Sequence, residues 1–222
     1  QLPNVSISNF VVSGKDVVED TMVNCGADAR NVHGSSSYLQ TSNSKSGPVS
    51  FTGQGLGFGP DQPHLLKPDL SYFMAQKYTV PISNLTAYLS STELKSVFLF
   101  QKGSFGNGTA LIYPATNEWN EDELSCESLS GSSNQIAQLY HGGCIVNGPS
   151  QIVHRFGWSF VNISHIVHCL LDSYLTSSFV SHHSSVDISL VWMEDSQSNQ
   201  KQTWYSSESL FSPVLAFFHS TD

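Results

Sequence analysis

Basic residues are scarce in this chain. Nine Lys and Arg stand against 18 Asp and Glu, for a net charge of −9 over 222 residues. They form no cluster, and without a concentrated basic face a protein cannot displace the counterions of a nucleic acid. Charged residues of either sign reach only 12%, about half the usual share for a soluble domain. Long apolar runs are also missing. The longest, Val97 to Phe100 and Val214 to Phe218, fall far short of the ~20 residues a helix needs to cross a bilayer, so membrane insertion is not expected. The four cysteines, Cys25, Cys126, Cys144 and Cys169, have neither the C-x-x-C spacing of a zinc or redox site nor a count that selects a compartment, and they permit three pairings. No G-x-S-x-G elbow, G-x-G-x-x-G loop or G-x-x-x-x-G-K-[ST] loop occurs. These absences argue against an enzyme and leave no cofactor and no metal to expect.

Serine, asparagine and glycine fill the deficit, and aromatic residues stay at 11%, which separates the chain from disordered sequences. The surface is therefore polar and weakly charged. Four N-x-S/T sequons, at Asn4, Asn84, Asn107 and Asn162, carry little weight, because a chain this rich in Ser and Thr produces several from composition alone.

Hydrophobic periodicity indicates an all-β fold, an antiparallel β-sandwich or barrel with long loops and one or two short helices, spanning 1–222 as a single domain. Val186, Ile188, Leu190 and Trp192 alternate with Asp187, Ser189, Val191 and Met193, and Val214 to Phe218 follows a polar connection. The two runs read as a pair of core strands with the Trp192 face buried. The Ser13-Gly14-Lys15 turn predicts a hairpin between 5–10 and 16–23. Asn107-Gly108 predicts a second, between 97–101 and 109–113. Ser71 to Val80 predicts a strand, as does Val49 to Thr52, and Ile152 to Phe160 predicts a core strand with Phe156, Trp158 and Phe160 on its buried face. Residues 26–48 lose periodicity and read as a long surface loop. The glycines from Gly53 to Gly59 read as a turn or bulge.

The clearest helix is 162–175: Ile163, Ile166, Val167, Leu170, Leu171, Tyr174 and Leu175 keep the 3, 4, 7 spacing, with Asn162 as its cap. His165, His168 and Asp172 fall on or beside its polar face, within reach of one metal or one hydrogen bond. The glutamate of H-E-x-x-H is missing. Shorter helical segments are predicted within 83–95, with Ser90 or Ser91 as a cap, and over 135–140. The acidic stretch 117–127 reads as a solvated loop. A weakly charged β-domain with long loops most often serves recognition, and five aromatics in those loops, Tyr38, Trp119, Tyr140, Trp204 and Tyr205, are the candidate receptor-binding residues. The segments 26–48 and 194–210 are the expected place for the site.

Two fragments carry a resemblance. Ser83-Asn-Leu-Thr-Ala-Tyr88 is similar to the Asn-Leu-Ser-Ala-Tyr segment of adenovirus fibre heads, and Ser212-Pro-Val-Leu-Ala-Phe-Phe218 after a Trp-containing strand resembles their last two strands. In size, β content and composition the chain resembles an astrovirus capsid spike. Either resemblance implies a non-catalytic attachment domain on the virion surface that binds a host-cell receptor, protein or glycan, and is met by antibodies. It also implies a homo-oligomer, a dimer for a spike and a trimer for a fibre head. A secreted carbohydrate-binding or hydrolytic β-domain is the alternative.

Overall fold

The computed structural model describes residues 6–24, 30–41, 72–91, 94–105, 108–129, 139–144, 148–175, 177–194 and 202–221. Their strands form two antiparallel sheets. The six-stranded sheet contains β1 (Ser6–Ser13), β3 (Tyr38–Thr41), β5 (Lys95–Phe105), β8 (Gly157–Asn162), β10 (Gln202–Tyr205) and β11 (Val214–Thr221). The five-stranded sheet runs β2 (Val18–Asn24), β4 (Tyr72–Pro81), β9 (Ser185–Glu194), β6 (Gly108–Ala115), β7 (Ser150–His154). The all-β sandwich expected from the periodicity is the observed architecture.

Strand β5 is the hub of the larger sheet. Along one edge it pairs β11 through Lys95–Phe100 and then β10 near Gly103 and Phe105, and along the other it pairs β8 through Phe98–Gly103. Between the sheets, Leu99, Leu215, Phe217, Leu39 and Trp204 meet Met74, Tyr78, Ile112, Ile188, Leu190 and Trp192 in one core. Among the described residues are the α-helices α1 (Ile82–Ser90), α2 (Ser164–Tyr174) and α3 (Ser177–His182), with one 3-10 turn at Gly142–Cys144. Leu85 and Tyr88 of α1 and Ile166, Val167, Leu170 and Leu171 of α2 join that core, as the spacing on α2 requires. Asn162 Oδ1 accepts the Ser164 N–H at 2.9 Å, and Ser91 closes α1 by donating its N–H to Ala87 O.

The five-stranded sheet is covered on its other face too. Val23, Phe73, Ala75, Tyr113, Val191 and Met193 pack against Trp119, Leu124, Leu129, Leu139 and Tyr140 from the connection between β6 and β7. This explains the nearly unbroken apolar run of β9, whose side chains are buried to both sides. Cys144 and Cys169 form a disulfide that ties this connection to α2. Cys126 is disulfide-bonded as well.

Several expectations need correction. The turn at Gly14 (φ +102°) does not close a hairpin: β1 pairs β11 in one sheet and β2 pairs β4 in the other. Neither do β5 and β6, nor do β9 and β11 pair with each other. At Gly14, and from β5 to β6, the chain passes to the other sheet, and such a passage uses the same glycine- and asparagine-rich chemistry as a hairpin; between β9 and β11 the strand β10 intervenes. Residues 26–48 are not all loop, because Tyr38–Thr41 is β3 and its Leu39 is fully buried. The predicted strand 49–52, the glycine stretch 53–59 and most of the predicted helix 135–140 lie outside the described residues.

The largest correction concerns 152–160. It is two strands in different sheets, broken at Arg155–Phe156 with Gly157 at φ +101°. Beyond the corner Ser159 and Val161 turn inward, while Phe156, Trp158 and Phe160 are 77%, 48% and 67% exposed. Stability should separate the two kinds of aromatic residue. Trp192→Ala, emptying the inter-sheet core, is expected to cost about 3–5 kcal/mol; Phe160→Ser, on the outer face, should stay within about 0.5 kcal/mol. Urea unfolding of both variants checks the assignment.

Candidate functional site

The outer face of the six-stranded sheet is where the chemistry concentrates. In every strand of that sheet alternate residues point away from the core. The register places Phe100 between Val214 and Phe160, Ala216 beside Phe98, and Lys102 beside Trp158. Phe98 lies 6.4 Å from Phe160 and 5.9 Å from Phe218 between ring centroids, and Phe100 lies 5.8 Å from Phe160. These four phenylalanines line a shallow groove of about 290 Å³ with no polar lining.

Next to the groove is a second group of rings with a different character. Tyr38 of β3 and Tyr205 of β10 are directly paired in register, their centroids 5.0 Å apart, and their hydroxyls are hydrogen-bonded, which raises the Tyr205 pKa. Phe211 meets Tyr205 edge-on at 5.0 Å. Lys102 Nζ lies 3.0 Å from the centroid of Phe211 and 5.2 Å from that of Tyr205. Leu210, the most exposed large apolar residue of the described chain, precedes Phe211.

The structure thus divides the five residues singled out from the sequence. Tyr38 and Tyr205 come together on an open face, and they lie in the two segments, 26–48 and 194–210, where a site was expected. Trp204, Trp119 and Tyr140 are interior. Trp204 is fully buried, edge-on to Trp192 at 5.2 Å and donating its indole N–H to Thr41 Oγ1 at 3.0 Å. Trp119 lies under Lys77, whose Nζ is 4.6 Å from its ring, and Tyr140 packs edge-on against Tyr113 at 6.0 Å. None of these three offers a ring face to a partner. The sequence reading missed Lys102, Trp158, Phe160 and Phe211. The available signal was that Val97 to Phe100 of β5 and Val214 to Phe218 of β11 are apolar on both strand faces, more than one core-facing side requires.

The helical histidines do not assemble as a site. His168 Nε2 is hydrogen-bonded to the Tyr88 hydroxyl, tying α2 to α1, and burial and the Lys95 charge lower its pKa. His165 Nε2 meets Gly148 O at 3.2 Å, while His183 Nδ1 meets Phe179 O at 3.0 Å. No group of three or more His, Cys, Asp or Glu side chains among the described residues is arranged to hold a metal ion. In the acidic stretch Glu118, Asp122, Glu123 and Glu127 are exposed; Glu121 is turned inward and its Oε2 accepts the Asp20 N–H at 3.0 Å.

Asp20 is the unusual ionisable group. Fully buried on β2, it accepts the N–H and the hydroxyl of Ser207 at 2.7 and 3.1 Å. Burial pushes its carboxyl from 3.8 up to about 7, repulsion from Glu121 and Glu208 adds to that, and the two Ser207 bonds act against it. The chain matches no protein-family model, and no curated protein matches it.

A raised carboxyl pKa means that the folded protein holds its proton more tightly than the unfolded chain. The stabilisation is complete below the unfolded value near 4 and is lost as pH rises through about 7. The unfolding free energy measured in urea should therefore fall between pH 5 and pH 8, by about 2–3 kcal/mol. Glu121 is shifted in the same direction, and His168 in the opposite one. The difference between wild type and Asp20→Asn isolates Asp20: the variant should lose most of the decline.

Proposed function

We propose that this chain is the attachment domain of a non-enveloped virus, a spike-like, non-catalytic projection that binds a host-cell receptor through the outer face of its six-stranded sheet. The observation that carries the reading is the exposure of that face. Folded monomers rarely leave contiguous aromatic surface in water unless something binds there, yet Phe156, Trp158, Phe160, Phe211 and Tyr38 are all exposed large residues, on a sandwich whose other sheet is covered on both faces.

Two further features support it. The Cys144–Cys169 disulfide suits a protein that works in an oxidising environment, as a virion surface or a secreted protein does. A chain of net charge −9 repels its own copies except through an uncharged patch. The phenylalanine groove is such a patch, and a two-fold interface would set it against the same patch of a second copy. A dimer is accordingly favoured over a trimer, with antibodies reaching the loops that surround it. The second reading, a secreted carbohydrate-binding or hydrolytic β-domain, draws on the Tyr38–Tyr205 pair.

Labelled protein should bind cultured animal cells saturably. Trp158→Ala combined with Tyr205→Ala should reduce that binding at least tenfold, while Glu123→Gln, on the acidic connection, leaves it unchanged. Turnover of ester or glycoside substrates, or cell binding indifferent to the paired alanine substitutions, would sink the reading. Mass in solution should be that of a dimer.

A further inference from the structure

We propose that the corner of the outer face formed by Lys102, Tyr38, Tyr205 and Phe211 binds an acidic saccharide, its carboxylate or sulfate on the Lys102 ammonium and a pyranose ring on the tyrosine pair. This rests on the attachment reading and names the class of receptor group it would take.

Lys102 is the argument. Among the described strand residues that point outward from the six-stranded sheet it is the only charged one. Lys77 is neutralised by Glu19 at 2.9 Å, Arg30 by Glu127 at 3.0 Å, and Lys95 donates to Leu89 O at 2.7 Å. Lys102 forms no ion pair among the described residues; its Nζ lies over the rings of Phe211 and Tyr205. A ring face attracts a cation weakly compared with a carboxylate, so the ammonium keeps an unused capacity for an anion. In a protein with twice as many acidic as basic residues, a single uncompensated cation on an otherwise neutral face selects for negative charge in its ligand.

The rings define the rest of the ligand. Tyr38 is 48% exposed, and each tyrosine presents an apolar ring with a hydroxyl at its edge. That combination matches a pyranose, whose C–H face packs on a ring while its hydroxyls bond at the rim. The phenylalanine groove lacks polar lining, so the saccharide is assigned to the tyrosine corner and not to the groove. The corner is also held in place: Ser206 donates its N–H to Ser37 O at 3.2 Å, and Gly14 donates its N–H to Ser212 Oγ at 2.9 Å. The rings thus need little ordering to bind.

The test is a titration of the full chain, followed by the ring proton resonances of Tyr38 and Tyr205, with sialyllactose, a sulfated heparin disaccharide and neutral lactose. One of the two acidic probes should shift those resonances with lactose at least tenfold weaker, and the response of each probe tells carboxylate from sulfate. Lys102→Gln should lower the affinity about tenfold, the scale of one charge-assisted bond, and Lys102→Arg should retain most of it. Equal response to lactose, no response to either acidic probe, or indifference to Lys102→Gln in a folded variant would overturn the proposal. Cell binding after sialidase and heparinase treatment separates the two levels. Binding that survives the enzymes and still depends on Trp158 and Tyr205 means a protein receptor, which overturns the saccharide and leaves the attachment reading standing. Binding indifferent to the face variants overturns both.

Discussion

The structure depends on the closure of two sheets over one interior, and that closure is fixed at its centre by polar as well as apolar contact. Trp192 of one sheet meets Trp204 of the other edge-on at 5.2 Å. Alongside them Tyr78 donates to Gln76 Oε1 at 3.1 Å, Gln76 donates its amide to Gln101 Oε1 at 3.0 Å, and Gln101 donates on to Tyr205 O. This chain of buried amides crosses from β4 to β5 and β10. Apolar contact is tolerant of small shifts, whereas a buried amide left unpaired costs about 1–3 kcal/mol. The tryptophans therefore supply area and the glutamines set the relative position of the sheets. Gly103 adds a steric condition: a Cβ there would lie 2.5 Å from His154 Nε2, so β5 can approach β7 and Trp204 only with glycine at that place.

From that closure follows the unequal treatment of the two sheets. Most successive strands lie in opposite sheets; β6 to β7 and β10 to β11 are the exceptions. The long connection between β6 and β7 returns to the sheet it left, and in doing so lays Trp119, Leu124, Leu129 and Tyr140 over that sheet's outer face. The six-stranded sheet has no such cover among the described residues. Its outer aromatics are consequently a surface, although their sequence pattern is that of a core.

That is also where the sequence could be read and where it could not. Alternation identified the strands because period two is a property of the single strand, and β4, β5, β9 and β11 all lie where Ser71–Val80, Val97–Gln101, Val186–Met193 and Val214–Phe218 predict them. Helix α2 was legible from its 3, 4, 7 spacing. Pairing was not legible, because Gly14 and Asn107-Gly108 mark a reversal without stating whether the chain returns to the same sheet. Burial was legible only in part: Asp187 and Ser189 correctly mark the Trp192 face as the inter-sheet one but do not show that the opposite face is covered too, and Val97-Phe-Leu-Phe100 has two apolar sides, of which the one that meets water depends on a distant connection. The same limit explains the site. Tyr38 and Tyr205 were chosen as loop aromatics, whereas Trp204, one residue away from Tyr205, belongs to the core because adjacent strand residues face opposite ways.

The connection 206–213 links the interior to this face. At its start Ser207 is held by the buried Asp20 through two hydrogen bonds; at its end Ser13 donates its hydroxyl to Pro213 O at 2.8 Å. Between these anchors Leu210 and Phe211 are pushed outward, and Phe211 is set against Tyr205 and Lys102. A short segment fixed at both ends has few conformations left to lose, so whatever binds at the corner meets rings already in place. The cost of that arrangement lies inside, in a carboxyl buried among other carboxylates. Asp20 occupies a poor position for a charge because the Ser207 backbone needs an acceptor there. The same two hydrogen bonds that partly offset the burial of its carboxyl hold the outer corner in shape.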